Sequence, residues 1–352
     1  MTILDKTKPV LVTGATGYIA GWLVKKLLEE GYTVHAAIRN PSKKEKIAHL
    51  EQIAKKEKGE IKFFQSDLMK NGSYAKAMEG CEVVFHTASP FKLEVKDPQK
   101  DLVDPAVMGT KNVLEQANKT ESVKRVVVTS SCAAIYCDCT DLENTKEGVF
   151  TENDWNTTAS LRYQPYSYSK TLAEKEAWKM SQQQSRWELV VVNPSMVLGP
   201  ALNIHETTSE SISLFKQMGD GTLKAGVPNL GMGVVDVRDL AEVHFNAGFN
   251  PEAGGRNIAS GHNSSMLEMA QILHEVYADE YKIPNKPMPK WLLMLVGPMV
   301  NKTLTKQYIR NNVNKVWKAD NGKSVRVLGA KYRPLKDTLV DSFRQMIDEK
   351  LV

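Results

Sequence analysis

The 352-residue chain has little of what marks several functional classes. Its four cysteines, Cys81, Cys132, Cys137 and Cys139, share no paired metal-ligand spacing, and Cys137-Asp-Cys139 stands alone. They are expected as reduced thiols of a cytoplasmic protein. The seven histidines are scattered with no His-x-x-x-His pair, so no catalytic metal is expected. Met1-Thr-Ile-Leu-Asp-Lys-Thr-Lys8 lacks the apolar core of a signal peptide. The longest apolar run, Trp291-Leu-Leu-Met-Leu-Val-Gly-Pro-Met-Val300, falls short of the roughly 20 residues that span a bilayer. It reads as a buried or pocket-lining helix in preference to a segment dipping into a membrane surface, and no integral membrane segment is expected. There is no internal repeat and no low-complexity tract. The net charge of +5 is small, and Lys43-Lys-Glu-Lys46 and Lys55-Lys-Glu-Lys58 interleave the two signs. A nucleic-acid binder more often carries a segregated basic stripe, so no nucleic-acid partner is expected.

What is present is an ordinary globular composition, 42% hydrophobic and 25% charged, with a strong α/β alternation in its first half. Apolar runs read as buried parallel strands at Val10-Leu-Val-Thr13, Thr33 to Ile38, Ile61 to Phe64, Val83 to His86, Arg125 to Thr129 and Glu188 to Asn193. Helical patterns lie between them, such as Trp22 to Glu30 closed by Gly31. The expected fold is α/β: a Rossmann-type doubly wound parallel sheet with a smaller, partly interleaved C-terminal substrate lobe. Residues 1–193 are assigned to the nucleotide-binding domain, with 234–250 returning to it. Residues 194–233 and 251–352 are assigned mainly to the lobe, where Gly-, Pro- and Asn-rich segments weaken the alternation.

Gly14 and Gly17 lie directly after the first strand and before the first helix, in Val10-Leu-Val-Thr-Gly-Ala-Thr-Gly-Tyr-Ile-Ala-Gly21. Glycines there permit a tight turn and close backbone approach, and the helix amino terminus then faces a pyrophosphate. Arg39 stands at the end of the second strand, where a reader of NAD carries an acid; Asn40, Lys43 and Lys44 follow. A guanidinium there suits an adenosine 2′-phosphate, so the cofactor is expected to be NADP(H). Asp67-Leu68, after the third strand, is expected near the adenine. Thr87-Ala88-Ser89-Pro90, after the fourth, is expected beneath the cofactor's middle.

Tyr166 and Lys170 stand four residues apart in Gln164-Pro-Tyr-Ser-Tyr-Ser-Lys-Thr-Leu-Ala-Glu174, one turn apart on one helix face. A phenol titrating near 10 is a poor proton relay at neutrality, and a nearby ammonium favours its ionised form. Tyr166 is therefore the expected proton donor, and Lys170 its partner and a holder of the nicotinamide ribose. Tyr168 sits on a different face. A serine leaving the fifth strand would bond a carbonyl oxygen; Ser131 is preferred over its neighbour Ser130. Together these residues describe hydride and proton transfer onto a carbonyl.

At this point the chain resembles the extended short-chain dehydrogenase/reductase family, in the branch of dihydroflavonol reductases, cinnamoyl-CoA reductases and related NADPH-dependent aldehyde and ketone reductases. The resemblance rests on Thr13-Gly-Ala-Thr-Gly-Tyr-Ile19, Ile38-Arg39, Val128-Thr-Ser-Ser131, Tyr166 to Lys170 with Thr171-Leu-Ala-Glu-Lys175, Asn193-Pro194, Pro289-Lys-Trp-Leu292 and Asp320 to Gly329. It spans nearly the whole chain. It implies cofactor contacts from Thr13, Gly14, Thr16, Gly17, Tyr18 and Ile19, and from the backbone between Pro194 and Val197. The interval from Ser131 to Tyr166 also resembles the family's and supports Ser131.

The implied substrate is a small, fairly apolar aldehyde or ketone, handled by a monomer or homodimer. Cinnamoyl-CoA reductases carry Asn-Trp-Tyr-Cys-Tyr near the catalytic tyrosine; this chain has Arg162-Tyr-Gln-Pro-Tyr-Ser-Tyr168, which departs from it. Met196, Leu198, Met218, Leu223, Met232 and Trp291 read equally as pocket lining or core. Phe150 and Trp155 lie in a long connection, 136–165, expected to border the substrate, and read equally as packing anchors. The alternative is a nucleotide-sugar epimerase or dehydratase of the same superfamily. Sugar dehydratases carry Asp-Glu after the Ser/Thr, where this chain has Cys132-Ala133. A redox sensor that binds NADP(H) without turnover has no need of Ser131, Tyr166 and Lys170 together.

Overall fold

A computed structural model describes residues 4–89, 95–207, 209–301 and 303–352. Pro90 and the first three residues lie outside the described residues. The strands are β1 (Val10–Thr13), β2 (Thr33–Ile38), β3 (Glu60–Gln65), β4 (Val83–His86), β5 (Arg125–Thr129), β6 (Glu188–Pro194), β7 (Met196–Leu198), β8 (Gly231–Asp236), β9 (Gly255–Ala259) and β10 (His262–Ser265). The helices are α1 (Tyr18–Glu29), α2 (Lys44–Ala54), α3 (Ala75–Met78), α4 (Asp104–Lys119), α5 (Pro165–Gln182), α6 (Glu210–Gly219), α7 (Val237–Phe249), α8 (Met266–Tyr277), α9 (Lys290–Val300), α10 (Lys306–Asn312), α11 (Gly322–Leu328) and α12 (Leu335–Asp348).

Seven strands pair in the order β3-β2-β1-β4-β5-β6-β9, every neighbour parallel. Alternate side chains serve opposite layers, as the pleat requires. Val10 and Val12 join Leu23, Leu27, Leu240 and Val243 on one face. Leu11 joins Val113, Leu114, Ala177 and Met180 on the other. Both faces are covered, which is why these strands are continuously apolar in sequence. Strand order reverses between β1 and β4, whose residues pair Val12 with Phe85 and Thr13 with His86. The crevice at their carboxyl ends is where such sheets take ligands.

A second sheet runs β10-β8-β7, with β8 parallel to β7 and antiparallel to β10. Around it Leu198, Phe215, Met218, Leu273, Leu293, Ile309 and Phe343 form a separate core. The stretch 234–250 divides between the two sheets: β8 stays with the small sheet while Leu240, Val243 and Ala247 of α7 pack into the main core. Conversely β9, from the stretch assigned mainly to the lobe, is the seventh strand of the main sheet, where Val192 pairs with Asn257. Only six and five residues long, β8 and β9 carry too little periodicity to announce which sheet they join.

The apolar run 291–300 is a helix, but not a buried one. Leu293 faces the lobe core, whereas Trp291, Leu295 and Met299 are 70%, 65% and 84% exposed. Leu198 and Met218 are core, and Met196, Leu223 and Met232 pack against it. Phe150 is buried and stacks on Tyr136 at 4.8 Å, and the Arg256 guanidinium lies 3.9 Å from the Trp155 ring, so both aromatics anchor the 136–165 connection. All four cysteines are buried and unpaired. Burial pushes the Cys81, Cys137 and Cys139 thiols up to about 12.

Candidate active site

The crevice begins with the turn after β1. Gly14 has φ +64°, and a Cβ there would meet the Ala88 Cα at 3.1 Å. A side chain is thus excluded twice, by conformation and by the β4 loop. Gly17 precedes α1 and offers no side-chain cap to the first amide groups of the helix, the kind of helix terminus that takes an anion. Thr13 ties the two loops together: its buried Oγ1 accepts from the Ala88 amide at 3.0 Å and lies 3.1 Å from His86 Nδ1, while Thr87 Oγ1 donates to the Thr13 carbonyl. Thr16 is half-buried in this turn, Ile19 packs on the main core, and Tyr18 donates to the Gly199 carbonyl at 2.5 Å. Burial, reinforced by the Asp236 charge, holds the Tyr18 phenol well above its ordinary range. Tyr18 is therefore a clamp between α1 and the lobe.

Arg39 leaves β2 exposed, and Lys43 is exposed at the start of α2; neither has an acidic partner among the described residues. Lys44, by contrast, pairs with Glu51 at 3.3 Å. Asp67 accepts from the Met69 amide at 2.8 Å, and Leu68 is held by Asn112, which donates to its carbonyl at 3.0 Å. At the far side Pro194 ends β6 against Ala259, and the Val197 carbonyl accepts from Ser211 Oγ.

The chemical end is built on α5. Gln164 adopts a left-handed conformation, φ 51° and ψ 56°, and Pro165 opens the helix. Tyr166 consequently sits in the first turn, where the helix amino terminus is partially positive. It is 44% exposed, and no protein partner holds its hydroxyl among the described residues. Lys170 Nζ lies 5.8 Å from the Tyr166 ring centroid and donates to Ser89 Oγ at 2.9 Å, which links α5 to the β4 loop.

The two serines after β5 differ in what their hydroxyls hold. Ser130 is buried and donates to Glu174 Oε2. Ser131 caps the short 3-10 turn Cys132–Ala134, its Oγ accepting from the Ala133 amide at 3.1 Å. Among the described residues no acceptor takes the Ser131 hydroxyl proton, which leaves it available to donate. Glu174 also accepts from Asn193 Nδ2 at 2.7 Å and pairs with Arg256 Nε at 2.5 Å. Asn193 Nδ2 reaches the Ser131 carbonyl at 3.2 Å as well. This buried network, one turn beyond Lys170, fixes both serines relative to α5. Its signal in the sequence was a glutamate four residues after Lys170, on the same helix face. His86, Ser89, Thr110, Ser130, Lys170 and Glu174 line a cavity of about 20 Å³, room for one water.

Crevice, glycine turn and parallel strand order define the class: a Rossmann-type α/β protein that carries a Tyr–Lys pair on one helix beside the crevice. A model of the NAD dependent epimerase/dehydratase family matches residues 10–259, and the chain belongs to that family, the extended short-chain dehydrogenases/reductases. A cinnamoyl-CoA reductase of Medicago truncatula is 40% identical over 281 residues, 79% of this chain and 83% of that one. A putative anthocyanidin reductase of Ginkgo biloba is 37% identical over 80% of this chain and 83% of its own. The yeast methylglyoxal/isovaleraldehyde reductase Gre2, solved with NADPH, superposes with a TM-score of 0.77 at 30% identity, covering 98% and 100% of the two chains.

Proposed function

We propose that this protein reduces an aldehyde or ketone to an alcohol with NADPH. The carrying observation is the set around α5: Tyr166 exposed with no partner for its hydroxyl among the described residues, Lys170 between its ring and Ser89, and a Ser131 hydroxyl whose proton has no acceptor among the described residues. The crevice fits the cofactor. A Cβ at Gly14 would fill the cradle, α1 opens without a side-chain cap, and Arg39 offers a 2′-phosphate a guanidinium with no acidic partner among the described residues. Thr13, Gly14, Thr16, Gly17, Ile19 and Tyr18 would border the pyrophosphate; Asp67 and Leu68 the adenine; Thr87, Ala88 and Ser89 the centre; Pro194 and Val197 the nicotinamide. Lys43 would assist Arg39.

Bound there, NADPH supplies the hydride that a carbonyl carbon accepts. Ser131 donates a hydrogen bond to the carbonyl oxygen and draws charge onto it. Tyr166 hands its proton to that oxygen. Lys170 and the α5 amino terminus then set positive charge beside the phenolate that is left. Glu174, through Asn193 and Arg256, keeps Ser131 in register with α5. The names of the relatives support an apolar, commonly aromatic carbonyl substrate. The four buried thiols support a cytoplasmic setting, and the chain is taken as a monomer or homodimer.

The test is NADPH consumption by purified protein against aromatic and aliphatic aldehydes, diketones and dihydroflavonols, with NADH in parallel and the alcohol product identified. Turnover preferring NADPH is the expected result. No turnover on any carbonyl, with tightly bound NAD(H) recovered from the protein, would overturn the reading in favour of a nucleotide-sugar enzyme.

A further inference from the structure

Helix α9 carries two faces that differ completely. Leu293 is buried in the lobe core, and Gly297 lies so close to α10 that a Cβ there would meet Ile309 Cδ1 at 3.1 Å. Two residues away, about 200° around the helix, Trp291, Leu295 and Met299 repeat every fourth position and stand 70%, 65% and 84% exposed. Val316, three residues past the Val313 carbonyl that accepts from Lys290 Nζ, is a further 73% exposed. Single exposed apolar residues are ordinary, but a stripe along a whole helix marks an interface.

The surrounding charge identifies what covers it. From Lys282 to Lys318 the sequence holds eight basic residues and not one aspartate or glutamate. The rest of the chain, with 38 basic residues against 41 acidic, is net −3, so the whole positive balance of the protein comes from this stretch. Lys282, Lys286, Lys306, Arg310 and Lys318 are exposed without an ion-pair partner among the described residues, whereas Lys315 pairs with Glu143 at 3.4 Å. A tryptophan, a leucine and a methionine on one helix face, flanked by unneutralised Lys and Arg, have the chemistry of a helix lying in a lipid headgroup layer.

We propose that α9 and its basic surround dock this protein, peripherally and reversibly, onto an anionic membrane surface. Trp291 would sit at headgroup level, Leu295 and Met299 in the acyl boundary, and Lys286, Lys306 and Arg310 against anionic headgroups. A second copy is a poor occupant, because a two-fold interface would set the same acid-free stretch against itself. Nucleic acid would leave Leu295 and Met299 without a partner. Helix α10, packed against the inner side of α9, is tied to the 136–165 connection: Asn311 and Asn312, at its end, donate to Asp138 at 2.8 and 2.6 Å, and Tyr163, three residues before Tyr166, donates to the same carboxylate. The proposal does not depend on the reductase reading.

Flotation of the full-length protein with vesicles of phosphatidylcholine, alone or mixed with phosphatidylserine, tests it. Binding is expected only with phosphatidylserine, weakening as salt is raised, with a blue shift in tryptophan fluorescence that Trp291→Phe abolishes. Lys306→Glu with Arg310→Glu should lower partition by about tenfold or more. Leu295→Glu with Met299→Glu should abolish it. All these sites are at the surface, and unchanged circular dichroism and melting temperature confirm folding. Absence of binding to phosphatidylserine vesicles, or binding unmoved by both double variants, would overturn the proposal. So would a dimer in solution that Leu295→Glu dissolves, or capture of an RNA oligonucleotide in preference to vesicles.

Discussion

Ser130 and Ser131 share one peptide bond and have opposite commitments. Ser130 gives its proton to the buried Glu174, while Ser131 only accepts, from the Ala133 amide. Ser131→Ala is therefore expected to lower kcat by about 10²–10³, the range for a lost oxyanion donor. Ser130→Ala should leave kcat within a few-fold and instead cost about 1–3 kcal/mol of stability, because Glu174 loses a buried donor. Steady-state kinetics and urea titration of the two variants check this. At this scale the juxtaposition of Tyr166 and Lys170 on one helix was legible from their four-residue spacing, read beside the glycine turn and the serine pair. Arg256 was not: it meets Glu174 across 82 residues of chain, and no local pattern carries that pairing.

Among the elements, those buried on both faces were read closely from the sequence. The runs Thr33 to Ile38, Val83 to His86 and Arg125 to Thr129 coincide with β2, β4 and β5, because an unbroken apolar run bounded by turns leaves few alternatives. The face of α9 was illegible for the converse reason: ten nearly continuous apolar residues have no period from which to choose an inside. Where β2 ends, Arg39 is the expected discriminator of cofactor. Arg39→Ala should lower kcat/KM for NADPH by about tenfold or more, from a lost charge-assisted hydrogen bond, and leave NADH within about twofold. Where β9 crosses behind α5, Arg256 neutralises Glu174 at a fully buried site. Arg256→Met strands that carboxylate and is expected to cost about 3–5 kcal/mol in a denaturant titration. Glu174→Gln with Arg256→Met should recover much of the loss.

Across the whole molecule, two buried histidines make stability depend on pH. Burial, with a contribution from the Lys170 charge, lowers His86 to about 3, and burial lowers His244 to about 4. Both folded values lie below the unfolded value near 6.5, so the unfolded chain takes up protons first as the pH falls. Neither histidine costs stability above about pH 6.5. Each should cost roughly 2 kcal/mol at pH 5, with the penalty growing down to the folded values. Urea midpoints at pH 7.5 and 5 should show the loss, and His244→Asn should shallow the slope. The main sheet, covered on both faces, and its switch-point crevice were legible from alternation. The small sheet was not, because β7 and β10 are three and four residues long and mean nothing until β8 pairs them. One measurement bears most directly on the central claim, that α5 supplies the proton for carbonyl reduction: kcat of Tyr166→Phe at saturating NADPH, with NADPH binding followed separately by fluorescence. The account predicts a fall of about 10²–10⁴ with binding essentially retained. Near wild-type turnover in that variant would contradict it.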